Sequence, residues 1–152
     1  MAENKELIDL MIVFPKKMSV ICRALVEGYL KDSRIKPPHL LILSEIQKSE
    51  GVSQKDLCKT IPFDKSYIST GVRDLIGMGL VVNEGVGKTH SLRLTESGRD
   101  VVVMSDMMFD LLEKSIMEAI TEEERDQLYQ ILSKIDVHVD ELTAEYSSRQ
   151  NS

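Results

Sequence analysis

At 152 residues, the chain has the length of one domain and can bury a core without metal or disulfide staples. Hydrophobic residues at 42% and charged residues at 29% match an ordinary soluble globular protein, and two cysteines, Cys22 and Cys58, exclude a disulfide framework. The net charge of −6 is unevenly spread: residues 1–52 carry +1, residues 53–95 carry +2 and residues 96–152 carry −9. The mildly basic middle permits contact with phosphate, and the acidity is confined to the C-terminal third. Met1–Glu6 lacks the basic start of a signal peptide. The apolar stretch Leu7–Phe14 is short and interrupted by Asp9, so a cytoplasmic protein without a membrane span is expected.

Leu7, Leu10, Met11, Phe14, Met18, Ile21, Leu25 and Tyr29 recur at helical spacing. Pro15 predicts a break or kink, with the main first helix starting there. A polar connection, Lys31–Lys36, leads to Pro37 and Pro38, which suit the first turn of a second helix with Leu40, Leu41, Leu43 and Ile46 on its buried side. Ser53 followed by Asp56 caps a short helix reaching about Thr60, and Leu57 faces inward. Asp64 caps the next helix, with Ile68, Val72, Leu75 and Ile76 inward, and Gly79 closes it.

The period then changes to two. Leu80–Asn83 and Ser91–Leu94 read as strands joined by the glycine-bearing turn Gly85–Lys88. Thr95 caps a long helix with Val101, Met104, Met108, Leu111, Leu112 and Ile116. Thr121 and Glu124 form a capping box for a last helix. Its Leu128, Leu132, Ile135, Val139 and Leu142 approach a heptad stripe, the pattern of a helix lying along another helix. The polar residues after Ser147 are expected to fray.

The expected fold is mainly α with a small β-hairpin wing: a winged helix-turn-helix flanked by long dimerisation helices. Its divisions are an N-terminal helix at 1–35, a winged lobe at 36–98, C-terminal helices at 99–147 and a frayed tail at 148–152.

Residues 37–98 resemble the MarR family of transcriptional regulators. Ser53–Leu57 with Phe63-Asp64-Lys65-Ser66, then Leu75 with Gly79-Leu80-Val81, then Leu94-Thr95-Glu96-Ser97-Gly98 stand in the family's order and spacing. The flanking helices extend the likeness over nearly the whole chain. The sequence departs from the family at two points. Val86-Gly87-Lys88 stands where an Asp-x-Arg pair is common in the wing, so a structuring carboxylate is absent and looser wing contacts are expected. Thr70 replaces an arginine frequent in the recognition helix.

The resemblance implies a homodimer that regulates transcription by binding duplex DNA at a near-palindromic site, as a repressor released by a small-molecule or redox signal. A recognition helix must present short polar or bidentate side chains to a major groove about 12 Å wide. Lys65, Ser66, Tyr67, Ser69, Thr70 and Arg73 face outward on the second short helix. Ser53 and Gln54 stand at the start of the first, where free amides suit a phosphate, and Lys88, Thr89, His90 and Arg93 belong to the wing. Leu7, Leu10, Leu128, Leu132, Ile135, Val139 and Leu142 are the expected dimerisation residues. Phe14, Met18, Tyr29, His39 and Met78 are candidates for an effector site.

The alternative is a winged-helix module that binds another protein on a dimeric helical scaffold. No metal or cofactor site is expected, because the three histidines are far apart and the cysteines lack ligand spacing. In Asp136-x-His138-x-Asp140 the imidazole points away from both carboxylates of a helix, and no other catalytic constellation stands out, so no enzyme is expected. Some relatives of this family sense peroxides through a cysteine in the first helix; Cys22 lies near the end of that helix and not at the sensing position, and helical cysteines are more often buried and inert.

Overall fold

The computed structural model describes residues 2–87 and 90–150. The elements are α1 (Ala2–Tyr29), α2 (Pro37–Lys48), α3 (Gln54–Thr60), α4 (Lys65–Gly77), β1 (Val81–Asn83), β2 (Leu92–Leu94), α5 (Glu96–Met117) and α6 (Glu122–Gln150). This is the mainly helical chain with one hairpin that the periodicities predict. The expected wing residues Lys88 and Thr89 lie outside the described residues. The chain divides between Phe109 and Asp110 into two compact units.

In the first unit, α1 is one uninterrupted helix and corrects the expected break at Pro15. Proline removes one hydrogen bond and crowds the carbonyl four residues back, at about 3 kcal/mol. The loss is local, and a helix of 28 residues continues on both sides of it. Val26 and Leu30 anchor the end of this segment in the core, whereas Leu7, Leu10 and Phe14 are exposed.

The lobe's core is built from α2, α3, α4 and the hairpin. Leu40, Ile42, Leu43 and Ile46 of α2 meet Leu57 of α3, Ile68, Val72 and Leu75 of α4, and Leu92 of β2, all buried. The phase of α2 differs from expectation: Leu41 is 46% exposed and Ile42 is buried in its place. Ile76, expected to face inward on α4, is also exposed. Further along, Val102 and Met108 reach the core, Val101 is half-buried and Met104 is exposed.

α4 ends as its sequence foretells. Gly79 takes φ +73, its amide donates to the Ile76 carbonyl, and Leu80 N–H donates to the Leu75 carbonyl. That pairing closes the helix and turns the chain directly into β1. The strands run antiparallel with Val81 opposite Leu94 and Asn83 opposite Leu92. An isolated bridge joins Val52 to Leu92, so the connection before α3 lines the hairpin's other edge.

Thr95 starts α5 and joins it to the wing. Its hydroxyl accepts from Gly98 N–H at 3.0 Å and donates to the Gly79 carbonyl at 2.7 Å. Its own amide donates to the Leu80 carbonyl.

The second unit holds the end of α5 and α6. The Thr121 box is present: Thr121 N–H donates to Glu124 Oε2 at 2.8 Å, and Glu124 N–H donates to Thr121 Oγ1 at 3.2 Å. α6 runs to Gln150, so residues 148–150 of the expected tail are helical, and Asn151 and Ser152 lie outside the described residues. Among its described residues none is buried; Leu128, Leu132, Val139 and Leu142 are exposed and Ile135 is half-buried.

Candidate nucleic-acid interface

α3, a tight turn and α4 form the helix-turn-helix. Ser53 Oγ accepts from Asp56 N–H at 3.2 Å and donates to Asp56 Oδ2 at 2.6 Å, which fixes the start of α3. Lys59 and then the Ser53 hydroxyl hold the Asp56 carboxyl down to about 2. At α4, Asp64 Oδ1 accepts from Tyr67 N–H at 2.8 Å and from Ser66 Oγ at 2.6 Å. These donors, the Ser66 hydroxyl first, keep Asp64 below the usual carboxylate range. The rings of Phe63 and Tyr67 meet at 5.0 Å between centroids, bracing the turn against the first turn of α4.

The two faces of α4 differ sharply. Ile68, Gly71, Val72 and Leu75 are buried, whereas Lys65, Ser66, Tyr67, Thr70 and Arg73 are exposed and Ser69 is half-buried. Gly71 allows α4 to approach α2, since a Cβ there would lie 2.6 Å from Ile42 Cδ1. The expected reading residues thus share one polar surface on a helix held from behind by packed aliphatics. Ser53 and Gln54 are half-buried at the start of α3.

The two wing arms are tied together by a side-chain amide. Asn83 does what a wing carboxylate would do, because its Oδ1 accepts from both Gly85 N–H and Ser91 N–H at 3.0 Å and so ties the two arms together. With that oxygen as the acceptor, the amide Nδ2 donates to His90 Nδ1 at 3.0 Å. Arg93 is engaged by two carboxylates, Glu84 at 2.7 Å and Glu50 at 3.0 Å. Asn83 at the end of an apolar strand is a turn-forming type that the sequence could have flagged. Nothing local to Glu50 announces a partner 43 residues away.

Of the residues expected to line an effector site, His39 and Met78 come together. With Arg34, Lys36, Arg73, Asp74 and Gly77 they border a recess of about 450 Å3. His39 is only 6% exposed. Its Nδ1 accepts from Lys36 N–H at 3.2 Å, and Nε2 lies 3.6 Å from Asp74 Oδ2. Burial pushes its pKa down, against the pull of the Asp74 carboxylate. Phe14, Met18 and Tyr29 do not line this recess. Cys22 is half-buried, and burial raises its thiol pKa, which disfavours the reactive thiolate. His138 Nδ1 lies 3.1 Å from Glu141 Oε2 on α6.

Among the described residues, no helix is long and apolar enough to cross a membrane, and no three His, Cys, Asp or Glu side chains are grouped to hold a metal.

A helix-turn-helix whose second helix exposes a polar face, followed at once by a two-stranded wing and long helices, defines the winged-helix class. The sequence model of the MarR family matches residues 35–89. Residues 35–89 therefore match the MarR family in sequence, and the fold is that of MarR-family transcriptional regulators. One similar structure is a MarR/EmrR family transcriptional regulator from Acinetobacter sp. ADP1, with TM-score 0.77 and 20% identity over 91% of this chain and 97% of that one. FabT of Streptococcus pneumoniae in complex with DNA has TM-score 0.79 and 16% identity, over 91% of this chain and 99% of that one. The PcaV transcriptional regulator of Streptomyces coelicolor, in complex with its natural ligand, has TM-score 0.69 and 16% identity, over 81% and 89%. No curated protein matches the chain.

Proposed function

We propose that the protein is a dimeric, sequence-specific DNA-binding regulator of transcription, acting as a repressor released by a small molecule. The observation that carries this reading is the exposed polar face of α4, set on a buried aliphatic face and followed directly by the wing. FabT, of the same fold at 16% identity, is seen with DNA. In the proposed complex, Ser66, Ser69, Thr70 and Arg73 enter a major groove, with Lys65 and Tyr67 at its edge. The α3 amides at Ser53 and Gln54 take a backbone phosphate, and Lys88, Thr89 and His90 follow the wing. Arg73 is the residue able to make a bidentate contact with guanine or phosphate.

Residues 36–98 serve as the reading lobe in this proposal, and the helices of 1–35 and 99–147 as the dimer base. The reading is supported by the apolar side chains those helices leave exposed, among them Leu7, Leu10, Leu128, Leu132, Val139 and Leu142. A twofold dimer presents two α4 helices about one duplex turn apart, which calls for a near-palindromic site. The recess beside His39 and Met78 suits a ligand, as PcaV has one. Its volume is in the range of small-molecule sites. Arg73 borders it, so an anionic occupant would compete with DNA for that guanidinium. The raised thiol pKa of Cys22 favours the small molecule over a redox signal.

The test is binding to a selected duplex across a salt series. Arg73→Ala is expected to weaken it by about 1–3 kcal/mol. Unchanged affinity would remove Arg73 from the interface. Salt-independent binding would oppose phosphate contact altogether.

A further inference from the structure

The wing's arginine is engaged by two carboxylates. Arg93 Nε lies 2.7 Å from Glu84 Oε2 on the opposite wing arm. Its Nη1 donates to Glu50 Oε2 at 3.0 Å. The other oxygen of the same carboxylate, Glu50 Oε1, accepts from Arg99 Nη1 of α5 at 3.0 Å. One carboxylate in the turn before α3 therefore joins β2 to the first turn of α5, and Arg93 carries the connection across the hairpin. The backbone follows the same path: Gly51 N–H donates to the Leu92 carbonyl at 2.8 Å, and Leu92 N–H donates to the Val52 carbonyl at 2.9 Å.

We propose that Glu50 and Arg93 are positioning residues that set the wing on the lobe, and that Arg93 makes no contact with DNA phosphate. The consequence for binding rests on the DNA-binding reading, but the clamp itself does not. The charge arrangement carries it. Two carboxylates and two guanidinia form a locally neutral cluster, so a phosphate approaching Arg93 would meet Glu50 and Glu84 at the same guanidinium. Breaking those charge-assisted, directional bonds to make another of the same kind gains little. Arginine is the side chain the arrangement requires, because its planar fork engages two carboxylates through different nitrogens, whereas a lysine offers one point charge. The role lost with the family's wing Asp-x-Arg pair is thereby divided: Asn83 ties the arms together, and the Glu50–Arg93 clamp orients the pair of them. DNA contact is left to the wing tip.

The test uses the full chain and reads two quantities. In the DNA-free protein, amide hydrogen exchange is followed at Glu84, whose N–H donates to the Ser91 carbonyl, and at Ser91, whose N–H donates to Asn83 Oδ1. Glu50→Gln and Arg93→Lys are expected to speed exchange there about two- to fivefold, the range of an exposed ion pair. With a selected duplex, the slope of log K against log salt is compared between the wild type and the charge-conserving pair Glu84→Gln with Arg93→Gln. The proposal expects an unchanged slope and an affinity lowered severalfold, because the wing is misplaced and no phosphate contact is lost. A slope reduced by about 0.9, the value of one phosphate, would overturn it. So would wing exchange unaltered by both single variants. If the wild type binds no duplex in a salt-dependent way, the DNA reading fails, and the exchange result alone still decides the clamp.

Discussion

Gly98→Ala should unfold the joint between wing and α5, although alanine is the better helix former. A Cβ at Gly98 would stand 2.1 Å from the Leu80 carbonyl oxygen and 3.1 Å from its carbon. The closest comfortable C···O approach is about 3.3 Å, so the start of α5 must move by about 1 Å relative to backbone and not to a flexible side chain. Three hydrogen bonds converge there: Thr95 N–H to the Leu80 carbonyl, Thr95 Oγ1 to the Gly79 carbonyl, and Gly98 N–H to Thr95 Oγ1. Overpacking costs about 1–3 kcal/mol, and loss of one or two of these bonds adds about 1 kcal/mol each. Alanine's helix preference returns only about 0.5–1 kcal/mol. The net expectation is a loss of about 1–4.5 kcal/mol. Urea unfolding at fixed protein concentration measures it, since association would otherwise shift the midpoint. Gly77→Ala, with nothing within 4 Å of its Cβ, is the control and should be neutral or slightly stabilising. A Gly98→Ala protein as stable as the wild type would refute the close approach.

Removing the α3 cap by Ser53→Ala should cost about 1 kcal/mol in the same assay, with α3 losing exchange protection first. Because Asp56 titrates at about 2 in the fold against 3.8 for the free side chain, its contribution is complete above about pH 4 and is lost as pH falls towards 2. Asp56→Asn should flatten the acid limb of a stability–pH curve in that window. His39 titrates lower in the fold than its ordinary 6.5, so the folded state binds fewer protons than the unfolded one and stability declines as pH falls below about 6.5. His39→Gln keeps an acceptor for Lys36 N–H and should remove that decline; a curve identical to the wild type would exclude His39 as its source. Leu132→Glu, on the exposed α6 stripe, should give a monomer by sedimentation with its helix content kept, and an undiminished dimer would place the interface elsewhere.

The legible parts of the fold are those written in short-range chemistry. Ser53, Asp64, Thr95 and Thr121 cap helices within three residues of themselves, and Gly79 occupies the one conformation in which a side chain is disfavoured. The phase of α2 is not legible, because Leu40-Leu41-Ile42-Leu43 offers four interchangeable aliphatics and only tertiary packing selects Leu40, Ile42 and Leu43 for the core. Pro15 misleads because its cost is local while the surrounding helix is long. The polar face of α4 follows from the sequence once its inner residues are known. The Glu50–Arg93–Glu84 cluster does not, since its members come from separate elements and carry no periodic signal.

Selection of the full-length protein against pooled random duplexes at moderate salt, followed by sequencing, tests sequence-specific DNA binding most directly. A twofold regulator reading DNA through α4 enriches a near-palindrome with half-sites about one helical turn apart, and Arg73→Ala loses that enrichment. A folded dimer that enriches no sequence would refute the DNA-binding reading and point instead to a winged helix that binds another protein.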